Sequence, residues 1–278
     1  MGWHGKLDIH YRRERNTTVA HDRHHGPLRV LQRLYPEGPG ICHHTLVYPP
    51  GGIVGGDVLD IELKLGAGTH AVITTPGATR FYRSAGELAA QRATVHLEAG
   101  AKLEWLPLEG IAYSGCIAEN RFEFDLDDGA ELIGWDLLAL GMPASGEAFQ
   151  RGRFTQHLAW PGVWLERGAI DALDATLLDS PLGLAGRRVL ATLWMACGGA
   201  GFSDAARELL LDAARAQADA SQRTQVVAGS TATDPRVIVL RALGDRVEPV
   251  FDLLKRVRAG WRQLRWGLGA NPPRIWQT

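Results

Sequence analysis

The sequence predicts a mainly β protein: a layered or solenoid-like β-sheet single domain over residues 1–278, with two or so C-terminal α-helices. Apolar and polar residues alternate along most of the first 170 positions, which is the period of a half-buried strand. A sequence pattern made of a leucine, a glycine turn and an apolar strand recurs around Gly68, Gly100 and Gly129. Helical periodicity appears only after residue 203, so the helices follow the β part.

The first third of the chain consists of predicted strands divided by turns rich in glycine and proline. Alternation is clearest near residue 60, where Leu59 and Ile61 face one side and Asp60 and Glu62 face the other. The predicted strands here are Leu7–Arg13, Thr17–His21, Leu28–Leu34, His44–Tyr48 and Asp57–Leu65.

The recurring glycines are 32 and 29 residues apart, and each copy of the pattern joins two alternating strands. Repetition at this period indicates stacked β-layers that share one core. An ordinary β-sandwich has similar turn spacing and stays the alternative. The strands that this pattern predicts are His70–Thr75, Gln91–Leu97, Lys102–Leu106, Arg121–Leu126, Glu131–Ala139, Gly152–Trp160 and Val163–Ala169.

Two helices are predicted in the last third. Ser203 can cap the first, which runs from Asp204 to about Ala220. Apolar residues recur every three or four positions over Glu248–Arg265, which indicates a second, amphipathic helix. Its basic face, expected to be solvated, consists of Lys255, Arg256, Arg258, Arg262 and Arg265. A strand, Arg236–Ala242, and a buried run over residues 189–202 return the chain to the β-core.

Glycine and proline, the residues that most restrict or widen backbone conformation, are concentrated between residues 48 and 84. Their spacing matches neither a dinucleotide-binding nor a phosphate-binding glycine loop, and a strand follows them instead of a helix. Proline fixes φ and glycine permits positive φ, so this backbone takes one compact path. We interpret the segment as a structural motif made of Pro49, Pro50, Gly51, Gly52, Gly55, Gly56, Pro76 and Gly77.

Charge and cysteine content limit the function classes. Thirty Lys and Arg against 31 Asp and Glu leave a formal charge of −1, which provides no overall field for nucleic acid or an anionic membrane. Three widely spaced cysteines and an N-terminus without an apolar signal region predict a cytoplasmic protein. The longest weakly polar run is too short to span a membrane. Nine tryptophans predict an exposed apolar surface that a partner covers.

Cys42-His43-His44 is the compact group of possible metal ligands. Neighbouring residues on a strand face opposite ways, so His43 cannot easily share a metal with both Cys42 and His44. A metal-dependent β-fold hydrolase using these three residues is the rival hypothesis. No nucleophile elbow or triad can be identified, and we predict no catalytic residue. Glu104, Glu109 and Asp136 either meet in a cleft or occupy outward strand positions.

Several stretches, in order, resemble the UreD (also called UreH) urease accessory proteins. The resemblance covers nearly the whole chain; the region around residues 183–244 matches only in general character. It rests on Gly26–Val30, Tyr35–Gly38, Pro49–Asp57, Thr74–Ser84, Leu103–Pro107 and Pro273–Trp276. The chain departs from the family pattern at Tyr48, Leu108, Gly110 and Met142.

The resemblance implies a maturation factor that is not an enzyme. Such a protein joins UreF and the GTPase UreG on apo-urease, assists nickel insertion, and offers an internal passage for the ion. No permanently bound cofactor is implied, only nickel in transit. A transit site must release its ion, so spaced carboxylates and hydroxyls suit it better than a Cys/His cage. The transit candidates are Asp57, Thr74, Thr75, Glu104, Glu109 and Asp136; the partner-binding candidates are Arg274, Ile275 and Trp276.

Overall fold

The computed structural model describes residues 2–222 and 225–277. Met1 and Thr278, the ends of the predicted domain, and residues 223–224 lie outside this description. Two β-sheets lie face to face, and two long helices pack on the outer side of one sheet. Strands account for 48% of the structure and helices for 18%, so the prediction of a mainly β, layered fold is confirmed.

The first sheet has seven strands. Numbered along the chain they are β1 (His4–Glu14), β2 (Thr17–His25), β5 (Val58–Leu65), β8 (Ala89–Leu97), β11 (Cys116–Leu126), β14 (Gly152–Trp160) and β15 (Trp164–Asp171). β1, β5, β8, β11 and β14 are consecutive parallel neighbours. Antiparallel β2 and β15 form its two edges.

The second sheet has eleven strands. They are β3 (Arg29–Val30), β4 (Ile41–Val47), β6 (His70–Thr74), β7 (Thr79–Phe81), β9 (Lys102–Leu106), β10 (Gly110–Ala112), β12 (Glu131–Met142), β13 (Glu147–Ala148), β16 (Val189–Cys197), β17 (Val227–Asp234) and β18 (Val237–Gly244). β4, β6, β9 and β12 are parallel. β16, β18 and β17 extend the sheet beyond β12 with antiparallel pairing.

The recurring glycines carry the chain from the first sheet to the second. Gly68, Gly100 and Gly129 have φ of 66°, 67° and 70°, a region that glycine enters without steric cost. They connect β5 to β6, β8 to β9 and β11 to β12. A strand of the first sheet, its glycine turn and the following strand of the second sheet make one coil. The strands of one coil pair in register with the corresponding strands of the next coil. The chain is therefore wound as stacked coils, as the sequence predicts.

Three helices are described: α1 (Ala175–Asp179), α2 (Asp204–Ser221) and α3 (Val247–Trp266). The Ser203 hydroxyl accepts a hydrogen bond from the Ala206 N–H, so the predicted cap of α2 is confirmed. α3 ends at Gly267, which takes the left-handed conformation common at helix ends. The short α1 was not predicted because five residues are too few to show helical periodicity.

One strand prediction needs correction, and one long strand was missed. The strand predicted over Leu28–Leu34 is reduced to the two residues of β3, and Leu31 and Leu34 are exposed. β17 was not predicted because its sequence, VAGSTATD, is rich in small and hydroxyl residues and lacks apolar alternation. By contrast, the apolar run from residue 189 forms β16 in the interior of the second sheet, as its composition predicts.

Three clusters of apolar side chains form the core. Two of them lie between the sheets, one around Trp194 and the other around Phe154; the third lies between the second sheet and the helices α2 and α3. The expectation that tryptophans create an exposed surface is wrong. Six of the nine are buried, namely Trp105, Trp135, Trp160, Trp164, Trp194 and Trp261, and only Trp3 is more than half exposed.

Candidate functional site

A row of polar side chains crosses the first sheet on its inward face. Gln91 on β8, Asn120 on β11 and Gln156 on β14 are successive cross-strand partners. The Gln91 amide donates to Asn120 Oδ1 at 3.2 Å. Because side chains alternate along a strand, these amides share the inner side with apolar neighbours such as Ala118 and Phe122. The row separates the apolar clusters around Trp194 and Phe154.

A second polar row faces the first from the opposite sheet. Asp136 on β12, Thr192 on β16 and Arg241 on β18 are cross-strand partners. Asp136 accepts a hydrogen bond from the Asn120 amide at 2.6 Å and another from the Gln156 amide. The two rows together form what we call the polar layer, a continuous set of hydrogen-bonding groups between the sheets.

Glu166 on β15 completes the polar layer at its far end. The Thr192 hydroxyl donates to Glu166 Oε1 at 2.5 Å, and Arg241 Nε donates to Glu166 Oε2 at 2.8 Å. β15 is an edge strand of the first sheet, so the polar layer reaches the side of the sandwich here.

The Asp136 carboxylate of the polar layer has a raised pKa. Burial raises the pKa of Asp136 to about 6; the Glu166 charge acts in the same direction, and the hydrogen bonds from Gln156 and Asn120 oppose it. Within the described part of the chain, Asp136 makes no ion pair with Lys, Arg or His. At neutral pH the layer therefore holds a desolvated negative charge without a protein cation beside it.

A cavity of about 270 Å³ adjoins the other end of the polar layer. Its walls include Tyr48, Gly52, Thr75, Gln91 and Pro107. Gln91 belongs to both the cavity and the first polar row, so the two are continuous. Gly52 is required here because a Cβ would lie 2.2 Å from the Tyr82 ring. The glycine- and proline-rich motif thus shapes a wall of the cavity.

The chain matches the family described as "UreD urease accessory protein" over residues 4–277. Three curated relatives with the same description come from Leptothrix cholodnii, Albidiferax ferrireducens and Paracidovorax citrulli. They are 58%, 57% and 55% identical, over all of both chains in the first case and 99% of each in the other two. The chain belongs to the UreD family. The family resemblance that the sequence motifs indicate is confirmed.

The six transit candidates of this UreD family member occupy different sides of the structure. Asp136 and Thr75 face the space between the sheets, and the Thr75 hydroxyl accepts from the Leu108 N–H at 2.9 Å. Thr74 points the opposite way and accepts from the Trp276 indole. Glu109 is half-buried, and its carbonyl accepts from the N–H of Thr79, which lines the cavity.

Asp57, another transit candidate, organises the backbone of the glycine-rich motif. Its carboxylate accepts from the Trp3 N–H at 2.7 Å, the Val54 N–H at 3.1 Å and the Tyr48 hydroxyl at 3.4 Å. Burial, with the nearby Asp57 charge, raises the pKa of Tyr48 to about 12. Asp57 therefore has the contacts of a loop cap.

Glu104 lies on the outer side of the second sheet, in a buried ion network beneath α3. Arg258 Nε donates to Glu104 Oε2 at 2.6 Å, and Arg262 Nη2 donates to Glu37 Oε2 at 2.6 Å. His70 Nε2 lies 3.1 Å from Glu104 Oε1. Burial alone would raise the pKa of Glu104, but Arg258, His70 and Arg262 lower it to about 2.

The expectation of a solvated basic face on α3 is wrong for two of its five residues. Arg258 and Arg262 are 1% and 0% exposed, whereas Arg265 is exposed and pairs with Glu131 at 2.5 Å. Their acidic partners come from loops and strands far away in sequence, so periodicity alone assigns them to solvent. Lys255 and Arg256 remain nearer the surface.

The Cys42, His43 and His44 group divides between the two sides of β4, as alternation predicts. His43 Nε2 lies 2.9 Å from Glu37, whereas His44 contacts Tyr11 and lies 3.9 Å from the Cys42 sulfur. No set of three or more His, Cys, Asp or Glu residues suited to a metal ion occurs in residues 2–222 and 225–277.

The C-terminal segment packs on its own chain. Trp276 Nε1 donates to Thr74 Oγ1 at 2.9 Å, and its ring lies 5.4 Å from that of Trp135 and 5.3 Å from that of Phe251. Arg274 is exposed and Ile275 half-buried. None of the helices described here is long and apolar enough to cross a membrane.

Gln91, Asn120, Gln156, Glu166, Thr192 and Arg241 were not predicted as site residues. The sequence does contain one signal for them: Asn120 and Gln156 are polar although the alternation of β11 and β14 places their side chains on the inward face. Their meeting with Asp136 depends on how the two sheets face each other, which sequence spacing does not give.

Proposed function

We propose that this UreD family member is a urease maturation factor that passes nickel through the polar layer and does not itself catalyse a reaction. It acts in the cytoplasm, as a scaffold with UreF and the GTPase UreG on apo-urease. The observation that carries the nickel proposal is Asp136, a buried carboxylate whose hydrogen-bond partners among the described residues are the Asn120 and Gln156 amides. Burying a charge without a cation is costly, so such a group suits a cation that arrives and leaves.

The donor types of the polar layer support transit over storage. Amide and hydroxyl oxygens and single carboxylates bind first-row divalent ions more weakly than thiolates or imidazoles do. The nitrogen and sulfur donors of Cys42, His43 and His44 lie elsewhere, in β4. A nickel ion in the layer would therefore meet ligands that release it, with retained waters completing its coordination.

The rival hydrolase hypothesis has less support. Burial raises the pKa of the Cys42 thiol, which disfavours the nucleophilic thiolate. The His44 imidazole bonds to Tyr11, and His43 bonds to Glu37 on the other side of the strand. All three cysteines are free thiols, which agrees with the reducing cytoplasm in which we place the protein.

The test is urease matured by co-expressed variants. Asp136→Asn keeps the size and hydrogen-bonding capacity of the side chain but removes its charge, so we expect the nickel content of urease to fall several-fold while the accessory complex still co-purifies. Asp60→Asn, on the outward side of β5, is the matched control and should leave nickel content unchanged. Full nickel loading by Asp136→Asn would overturn the proposed route.

A further inference from the structure

A salt bridge closes the far end of the polar layer. Arg241 Nε and Nη2 lie 2.8 Å and 2.5 Å from Glu166 Oε2, while Thr192 donates to the other carboxylate oxygen. Both oxygens of Glu166 are therefore engaged. The Glu166 side chain is 18% exposed and that of Arg241 is 48% exposed, so the bridge stands at the boundary between interior and solvent.

The strand order explains why an arginine is needed at this place. The first sheet ends at β15, whereas the second sheet continues past β16 with β18 and β17. Arg241 projects from β18 and reaches back to Glu166 on β15, across the gap between the sheets. The guanidinium thus covers the side of the sandwich where the first sheet has no further strand.

We propose that Arg241 is a displaceable counter-ion that gates the polar layer: it occupies Glu166 until a divalent cation in the layer competes for that carboxylate. This inference rests on the proposed function. When Arg241 turns into solvent, Glu166 and Asp136 present two carboxylates to one cation. Thr192 brings the two acids to one place, because it is the cross-strand partner of Asp136 and its hydroxyl donates to Glu166 Oε1 at 2.5 Å.

The exposure of Arg241 is what makes displacement feasible. An ion pair with a half-exposed arginine adds little to stability, because water and salt screen it and the freed guanidinium is readily hydrated. Arg258 and Arg262, which also pair with glutamates, are fully buried and cannot leave without exposing the core. Of these three arginines, Arg241 is the one that can open without unfolding the protein.

The test is Ni²⁺ binding to the purified full chain, measured by equilibrium dialysis with Ni²⁺ as the only added metal. Arg241→Gln removes the competing charge, so we expect Ni²⁺ to bind about tenfold more tightly and to leave more slowly when a chelator is added. Arg241→Lys keeps a cation but not the two-nitrogen contact, and we expect an intermediate affinity. Arg215→Gln is the matched control, because Arg215 is also 48% exposed and pairs with acidic side chains on α2.

A double variant isolates the gate from general charge effects. In a Glu166→Gln background the Arg241→Gln change should no longer raise Ni²⁺ affinity, because the carboxylate for which the two cations compete is gone. An Arg241→Gln affinity equal to wild type, or an equal gain in both backgrounds, would overturn the gate.

Failure of the gate and failure of the route give different results. If Asp136→Asn and Glu166→Gln both leave Ni²⁺ affinity at the wild-type value, the polar layer does not carry nickel, and the gate falls with it. If both substitutions weaken binding but Arg241→Gln does not strengthen it, the route stands and the gate alone is refuted.

Discussion

The Tyr11 hydroxyl lies 2.7 Å from Nδ1 of His44, and both side chains are only 1% exposed. This hydrogen bond ties β1 in the first sheet to β4 in the second. Burial lowers the pKa of His44 to about 4, with the nearby Arg33 acting in the same direction. The folded protein therefore holds a neutral imidazole in its core at neutral pH.

The first prediction concerns acid stability. The folded-state pKa of His44 lies below its unfolded value, so the unfolded chain takes up the proton first as pH falls. Stability should therefore decrease from about pH 6.5 down to pH 4, by at most roughly 3 kcal/mol from this group. Urea unfolding at pH 7.0 and 5.0 measures the effect. His44→Asn should reduce this pH dependence and the exposed His24→Asn should not; equal dependence in wild type and His44→Asn would contradict the assignment.

The second prediction concerns Glu104, for which transit and structural roles differ. Glu104→Gln leaves the buried guanidinium of Arg258 without its anion, so we expect a loss of about 3–5 kcal/mol in the free energy of unfolding. Glu62→Gln, a partly exposed partner of Lys64, is the control and should change stability by at most about 0.5 kcal/mol. A Glu104→Gln protein with wild-type stability but poor nickel delivery would restore Glu104 as a transit residue.

The third prediction concerns the C-terminal segment. Removing residues 272–278, of which Thr278 lies outside the described structure, deletes the Trp276 contacts and should lower stability and weaken the complex with UreF. Arg274→Glu separates the two effects, because this exposed side chain is expected to contact the partner without supporting the fold. Co-purification of UreF with both variants at the wild-type level would show that the segment only stabilises its own chain.

The fourth prediction concerns Asp57. Asp57→Ala removes all three hydrogen bonds of the loop cap and should destabilise the protein by about 1–2 kcal/mol, whereas Asp57→Asn keeps one acceptor oxygen and should cost less. Thermal unfolding of the two variants gives this order. If Asp57 also serves transit, both variants will lower the nickel content of co-expressed urease while the accessory complex still assembles. Normal nickel content with either variant refutes that role.

Much of the fold could be predicted from local patterns. The stacked coils are predicted by the glycine turns at 68, 100 and 129 and by the alternation of the strands, because each of these patterns can be recognised within about ten consecutive residues. The roles of Arg258 and Arg262 could not be predicted, because their partners Glu104 and Glu37 are 154 and 225 residues away. Asp136 was identified as a candidate carboxylate, but its amide partners depend on the facing of the two sheets.

The in-register stacking of the coils has a geometric consequence for any conduit between the sheets. Neighbouring strands are about 4.8 Å apart, so each coil lengthens the row of inward polar groups by that increment, while the spacing of packed sheets, about 10 Å, sets an upper limit on its width. The length of the conduit is thus set by the number of coils, and its inner diameter by the size of the side chains that line it. Duplicating one winding would extend such a conduit without widening it, whereas replacing Asn120 or Gln156 by a smaller residue would widen it without changing its length.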